Sequence, residues 1–498
     1  MEPTSPTRVP DPPDPGPAGS SDPAPHHVIV VGAGVAGLVA ARDLARSGVR
    51  VSVLESADRV GGQIRTVDFA GRRVDVGAEA VFVAPPHLSA LVREVGLWDT
   101  AVSAQHGVTL LGHPRGAVPM PEGLTPAGPS RLRPVLRSRI LSWPGVLRAG
   151  LEPLTSRICP PLAPDQDISV GDFLTARFGD EVVRRLVDPL LGSLYSGDVH
   201  RISLRGATPQ LVGAAEHRTS LVRRRASRQA GGPSFINWPD GMETFVRALT
   251  SDIEGHGGQI ATGVAVREIV PASGRWQVRT TTGTYETDRV VLATPAPVIA
   301  DLLAGLRGGA ADVLAEQRSA SVGNVVLAVS ADRLFDPAAA RADDLELRAD
   351  RRTTGLLVPS EAPWLLKAAT FLSTKWPHLA RTSSGEDDGS FLLRLSAGRI
   401  GDERVDGLSD DELIARLTHD LHQATGVTPE VRESLVVRWP VMPQVEVGQP
   451  ARIAQLRADL AEHLPGLVLA GSGVDGLGLA AVTRSGRQAA AALTGVRG

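Results

Sequence analysis

Residues 32–37, Gly32-Ala33-Gly34-Val35-Ala36-Gly37, hold three glycines at the spacing that cradles a dinucleotide pyrophosphate. In that arrangement Gly32 permits the tight turn, Gly34 lets the backbone approach the diphosphate, and Gly37 lets a helix pack on its strand. The diphosphate then meets N–H groups at the positive end of a helix. Glu55 follows the last of these glycines at about the twenty-residue offset of an acid that holds ribose hydroxyls, with Ser56 beside it. A carboxylate there suits an unphosphorylated ribose. Near the other end of the chain, Gly471-Ser472-Gly473-Val474-Asp475-Gly476-Leu477-Gly478-Leu479 is a second glycine-rich segment. A helix starting there would bring roughly half a positive charge to a redox ring that gains negative charge on reduction.

Those residues need a strand, a loop, a helix and a second strand to position them. His27 to Val31 is an apolar run of buried-strand type. Val35 to Ser47 reads as a helix with Val35, Leu38, Val39, Ala41, Leu44 and Ala45 inward, ended by Gly48, and Val49 to Leu54 forms the next strand. Later strand patterns run over Gln259 to Ile269, Trp276 to Arg279, Tyr285 to Thr287, Arg289 to Thr294, Ser321 to Val329 and Thr354 to Pro359. The fold class is therefore α/β, with a Rossmann-like nucleotide-binding domain built from discontinuous segments 27–87, 236–300 and 436–498. A mixed α+β substrate domain is expected over 301–435 and a largely helical insert over 88–235. Residues 1–26, rich in Pro, Ser, Asp and Gly, are expected to be a disordered extension.

With 498 residues, 42% of them hydrophobic, the chain can bury the cores of two or three lobes. A formal charge of −3 gives no global reason to bind nucleic acid. Cys159 is the only cysteine, which excludes disulfide frameworks and Cys-rich metal sites. The histidines are scattered, with no His-Glu-x-x-His spacing, so no metal site is expected. No apolar run approaches the length of a membrane span, and the expected location is the cytoplasm. Arg131, Arg133, Arg137, Arg139 and Arg148 surround Leu136, Ile140, Leu141, Trp143 and Leu147. This basic amphipathic stretch reads as a solvated face over a substrate cavity. Peripheral contact with a membrane and attraction of a polyanionic substrate are its alternatives.

The fingerprint alone does not separate a nicotinamide from a flavin. Downstream, Arg59-Val60-Gly61-Gly62-Gln63-Ile64-Arg65-Thr66 and Asp75-Val76-Gly77-Ala78-Glu79-Ala80 resemble the extended FAD signature of the amine oxidase and protoporphyrinogen oxidase superfamily. Asp188-Pro189-Leu190-Leu191, Tyr195-Ser196-Gly197-Asp198, the run Ala369 to His378 and Arg438-Trp439-Pro440-Val441-Met442-Pro443-Gln444 are similar, in the same order, to the protoporphyrinogen and coproporphyrinogen oxidases. The match runs from His27 to the C-terminus.

The resemblance implies non-covalent FAD, held by the loop 32–37 together with Glu55, Ser56, Arg59, Gly62 and Gln63. Gly77, Ala78, Glu79, Ala80, Val266, Trp439, Leu477, Gly478 and Leu479 complete that set. Arg59 would offset phosphate charge, and the Val266 backbone would meet the adenine. The implied reaction is the six-electron oxidation of a porphyrinogen to a porphyrin in haem biosynthesis, in three two-electron steps, with oxygen as acceptor and hydrogen peroxide as product. The flavin takes hydride while the protein positions the macrocycle, so no general base is assigned. Leu357 and Phe371 would pack on the macrocycle, and Gly192, Ser193 and Leu194 would line the facing wall. Ala84-Pro85-Pro86 stands where the family often has a basic residue, leaving propionate recognition unassigned there. Coproporphyrinogen III is the expected substrate and protoporphyrinogen IX the alternative; a non-catalytic flavin scaffold serving another haem-pathway protein is a further reading. Leu327, at the place where amine oxidases carry a lysine, argues against amine oxidation.

Overall fold

Five strands pair in the order Gln259–Ala261, Arg50–Leu54, His27–Val31, Arg289–Leu292 and Leu467–Leu469, all parallel. They are apolar on both sides because both faces are covered. Val28 and Val30 point to one face, under the helices Val35–Arg46, Glu243–Gly255 and Leu479–Thr494. Ile29 and Val31 point to the other, under Ala296–Ala304, Gly308–Ala315 and Gln449–His463. A Cβ on Gly486 would lie 2.4 Å from the Ala36 carbonyl oxygen, so the C-terminal helix lies backbone to backbone on the N-terminal one. This computed structural model describes residues 27–113, 116–222, 234–338 and 345–494. The extension expected over 1–26 lies outside the described residues.

A seven-stranded sheet forms the second unit, in the order Val431–Pro443, Ser319–Ser330, Ser390–Ala397, Leu366–Phe371, Thr353–Leu357, Val108–His113 and Gly116–Pro119. One face packs under the helix Asp410–Thr425 through Leu413, Leu417 and Leu421. Ser409 and Glu412 form a capping box that starts this helix. The opposite face looks towards the nucleotide-binding unit. A third unit, mostly helices between Leu132 and Glu216, packs around Phe173, Phe178, Leu186 and Leu211. Its buried Arg177–Glu152 pair, 3.2 Å apart, is completed by the Ser220 hydroxyl and the Leu221 N–H.

Three boundaries differ from the sequence reading. The insert expected to be largely helical contains the strands Val108–His113 and Gly116–Pro119, which extend the substrate sheet. The long strand Val431–Pro443 belongs to that sheet too, although residues from 436 onward were assigned to the nucleotide domain. The pattern over Gln259 to Ile269 is two strands in different sheets, separated at Gly263, whose φ of +71° turns the chain.

Candidate active site

The phosphate loop sits where the strand order of the parallel sheet reverses, between His27–Val31 and its two neighbours. Gly32 has φ +100°, and a Cβ there would meet the Ala293 carbonyl oxygen at 2.8 Å. A Cβ on Gly37 would lie 2.0 Å from the Gly32 carbonyl oxygen, so only glycine lets the helix begin this close to its strand. Ala33 N–H donates to Glu55 Oε2 at 2.7 Å, which seats the carboxylate beside the loop with Ser56 Oγ donating to its other oxygen at 3.3 Å. The Gly61 N–H donates to the Ala33 carbonyl at 2.8 Å, laying the Gly61-Gly62 turn against the loop. Arg59 holds that turn by donating to the carbonyls of Val60, Gly62 and Ile64.

Residues 76–79 join the nucleotide unit to the inner face of the seven-stranded sheet. Ala78 N–H donates to the Gln63 carbonyl, Asn324 Nδ2 and Trp439 Nε1 donate to the Val76 carbonyl, and Arg394 donates to the Gly77 carbonyl. The Glu79 carboxylate is buried between Arg394, Lys375 at 2.6 Å and Trp376 Nε1 at 2.9 Å. Burial would raise its pKa, but the two cations and their hydrogen bonds outweigh it and hold the group down at about 2. Nearby Asp75 goes the other way. Burial raises it to about 6 despite hydrogen bonds from Thr66, Asn237 and the Met242 N–H.

Beyond this junction the inner face stays half-exposed along Gly355, Leu357, Ala368, Thr370, Arg394 and Ser396, leaving a cleft floored by the sheet. The far end of the cleft is closed by the helix Asp188–Tyr195, with Leu357 packing into the helical unit. Lys367 lies there on a bulge between Leu366 and Ala368, only 4% exposed, its Nζ donating to Ser196 Oγ. Burial, with Arg399 and Arg394 repelling its proton, lowers its pKa to about 7. Arg399 reaches the Val358 carbonyl and lies 3.5 Å from Ser193 Oγ, while its buried Nη1 has no hydrogen-bond partner.

Flavin containing amine oxidoreductases match this chain over residues 35–494. A coproporphyrinogen III oxidase from Mycobacterium bovis is 32% identical over 476 residues, covering 93% of this chain and 96% of that one. The chain belongs to this flavoprotein family. A coproporphyrinogen III oxidase from Bacillus subtilis is 27% identical, covering 91% of this chain and 94% of the relative. An Exiguobacterium sp. structure provisionally assigned as a protoporphyrinogen oxidase shares the fold, with TM-score 0.79, 24% identity and coverage of 94% and 98%. The cofactor of this flavoprotein is FAD, and its backbone leaves room for it. A Cβ at Gly34 or at Gly478, the latter with φ +91°, would meet nothing within 4 Å. Among the described residues no group of three metal-ligating side chains forms, and no helix is long and apolar enough to cross a membrane.

The flavoprotein brings the loop 32–37, Glu55, Gly62, Gln63, Gly77, Ala78 and Trp439 into one connected region, and Ala80 packs against the same core cluster as Trp439. The Ala265 carbonyl accepts from Thr281 N–H at the start of the strand carrying Val266, while Val264 N–H is bonded to the Glu55 carbonyl. Leu477 and Gly478 lead into the helix that starts at Leu479. The Arg59 guanidinium donates to carbonyls of its own loop, and the Glu79 side chain pairs with Arg394 on the sheet and with Lys375. Other placements correct the sequence reading. Phe371, expected against the macrocycle, is fully buried with Phe335 and Phe391 on the core side, because alternation puts Ala368 and Thr370 on the cleft side. Leu327 likewise faces the core, and the inner face of its strand carries Asn324 and Val326. Gly192 and Ser193 border the Lys367 corner, whereas Leu194 on the same helix is 63% exposed. Lys367, Arg394 and Arg399 were not singled out from sequence. Their one signal was that Lys367 and Lys375 are the only lysines.

Proposed function

We propose that the protein oxidises coproporphyrinogen III to coproporphyrin III in haem biosynthesis, with three oxygen molecules reduced to three of hydrogen peroxide per six electrons removed. The observation that carries this reading is its nearly end-to-end similarity to relatives bearing that activity, at up to 32% identity. FAD supplies the two-electron acceptor when bound. The chain's own residues supply position: the glycine loop and Glu55 hold the nucleotide, and the junction at residues 76–79 fixes the sheet against it. Leu357 offers apolar contact to a macrocycle, and a helix starting at Leu479 directs N–H groups to a ring carrying negative charge. Amine oxidation is disfavoured because both lysines are engaged elsewhere, Lys375 on Glu79 and Lys367 on Ser196.

The helices Trp143–Gly150 and Glu152–Ile158 expose Trp143, Leu147, Leu154 and Ile158, with Arg131, Arg133, Arg137 and Arg139 nearby in the chain. That apolar exposure favours peripheral contact with a membrane over a purely solvated face. The deciding experiment incubates the purified yellow protein in air with coproporphyrinogen III or protoporphyrinogen IX and follows porphyrin fluorescence and peroxide. Faster gain with coproporphyrinogen is expected. Oxidation of neither would overturn the reading, and faster turnover of protoporphyrinogen would reverse the substrate choice.

A further inference from the structure

Two cations, Lys367 and Arg399, meet at the closed end of the cleft, while a third, Arg394, lies towards the junction with residues 76–79. Arg394 is paired with Glu79. Among the described residues, no carboxylate oxygen lies within ion-pair distance of the Lys367 ammonium or the Arg399 guanidinium, although Asp188 and Asp402 are near enough for their charges to act on Arg399, Asp402 being itself paired with Arg404. Asp188 itself is engaged elsewhere, its Oδ2 accepting from the Ser360 N–H at 2.6 Å. A buried ammonium beside a half-buried guanidinium, held by hydroxyls and carbonyls, is costly to keep, and the deficit is met when an anion arrives.

The geometry points to Lys367 and Arg399 as a carboxylate subsite that receives one propionate arm of the porphyrinogen. The proposal rests on the porphyrinogen reading above. Its chemistry follows from placement. Arg399 Nη1 is the unpartnered donor, and a Cβ built on Gly192 would fall 3.3 Å from it and 2.6 Å from Asp188 Oδ1. Glycine at 192 therefore keeps that approach clear. The half-exposed Leu357, Ala368 and Ser396 lead along the sheet to the same corner, giving a flat apolar ring a floor and its acidic arm an end point. Planar guanidinium recognition of a carboxylate is the strong form of such a contact. This supplies the basic group that Ala84-Pro85-Pro86 does not provide.

The test titrates the FAD-loaded protein with two stable probes, coproporphyrin III and its tetramethyl ester, following porphyrin fluorescence. Arg399→Met should weaken the acid by at least about tenfold, as loss of a charged hydrogen bond does, and the ester by less than about twofold. Arg399→Lys should restore part of the difference. Lys367→Met should show the same selectivity, with KM for coproporphyrinogen raised more than kcat is lowered. Gly192→Ala, which removes no charge, should also weaken the acid selectively by crowding the corner. Retention of the FAD spectrum identifies folded variants, and failure of any one to fold leaves the other substitutions to decide. Equal weakening of acid and ester would make these residues structural supports and overturn the subsite, as would unchanged binding. If the parent protein neither binds porphyrins nor oxidises a porphyrinogen, the functional reading falls first and the subsite with it.

Discussion

Two buried clusters border the same cleft and treat charge in opposite ways. At one end, Glu79 meets Arg394, Lys375 and the Trp376 N–H, so opposite charges cancel within the chain. At the other, Lys367 and Arg399 face hydroxyls and carbonyls, with one guanidinium nitrogen unpartnered. The first arrangement joins two units of the fold. The second keeps binding capacity in reserve at some cost to the empty protein. The distinction teaches that burial of a charge is not by itself a sign of function; what matters is whether the chain has already satisfied it.

Glu79→Gln is expected to have the largest effect. Removing the buried partner leaves the half-buried Arg394 and Lys375 without a counter-charge, which costs on the order of 3 kcal/mol. Chemical denaturation should show that loss, together with weakened FAD retention, because residues 76–79 lie against the Gly61-Gly62 turn through Gln63. Acid should reproduce it without a mutation. The folded-state pKa of Glu79 is about 2, below its ordinary value of 4.5, so its contribution is present above about 4.5 and disappears as pH falls towards 2. The amount is on the order of 3 kcal/mol. A denaturation series across that window should show this acid loss in the parent and a smaller one in Glu79→Gln.

Glu55 stands between the two cases, since Ala33 N–H satisfies one oxygen and ligand hydroxyls would complete the rest. Glu55→Gln should weaken FAD binding by about 1.5–3 kcal/mol, measured by flavin release on dilution. Unchanged affinity would remove it from the ribose site. The smallest effect is expected at Lys367→Met. Replacing an unmatched buried cation by an apolar side chain of similar length should leave the stability of the ligand-free protein unchanged or raise it by about 1 kcal/mol. A clear drop in the melting temperature would place Lys367 among the structural supports, beside Glu79.

Residue types announced the nucleotide cradle because its demands are on the backbone. Only glycine serves at Gly32 and Gly37, whose Cβ atoms would strike carbonyl oxygens, and the sequence displays that restriction directly. The substrate end was less legible. Phe371 is apolar at the right position in the chain, but the bulge at Lys367 and the alternation after it decide which side it faces. The strands Val108–His113 and Gly116–Pro119 were obscured by a proline-rich neighbourhood, and their partner Thr353–Leu357 lies far along the chain. Lys367, Ser196 and Arg399 come from three separate elements, so no local pattern could reveal their meeting.

The packing of Gly486 on Ala36 also sets a timetable for biosynthesis. The phosphate loop is made well before the helix that covers its own helix, with other strands of the parallel sheet added from segments in between. During elongation at about 5–20 residues per second, the N-terminal strand and helix wait on the order of tens of seconds for their final neighbour. A ribosome-bound chain stopped before Gly471 would thus lack both its covering helix and the segment assigned to the flavin, so FAD capture waits for both to emerge.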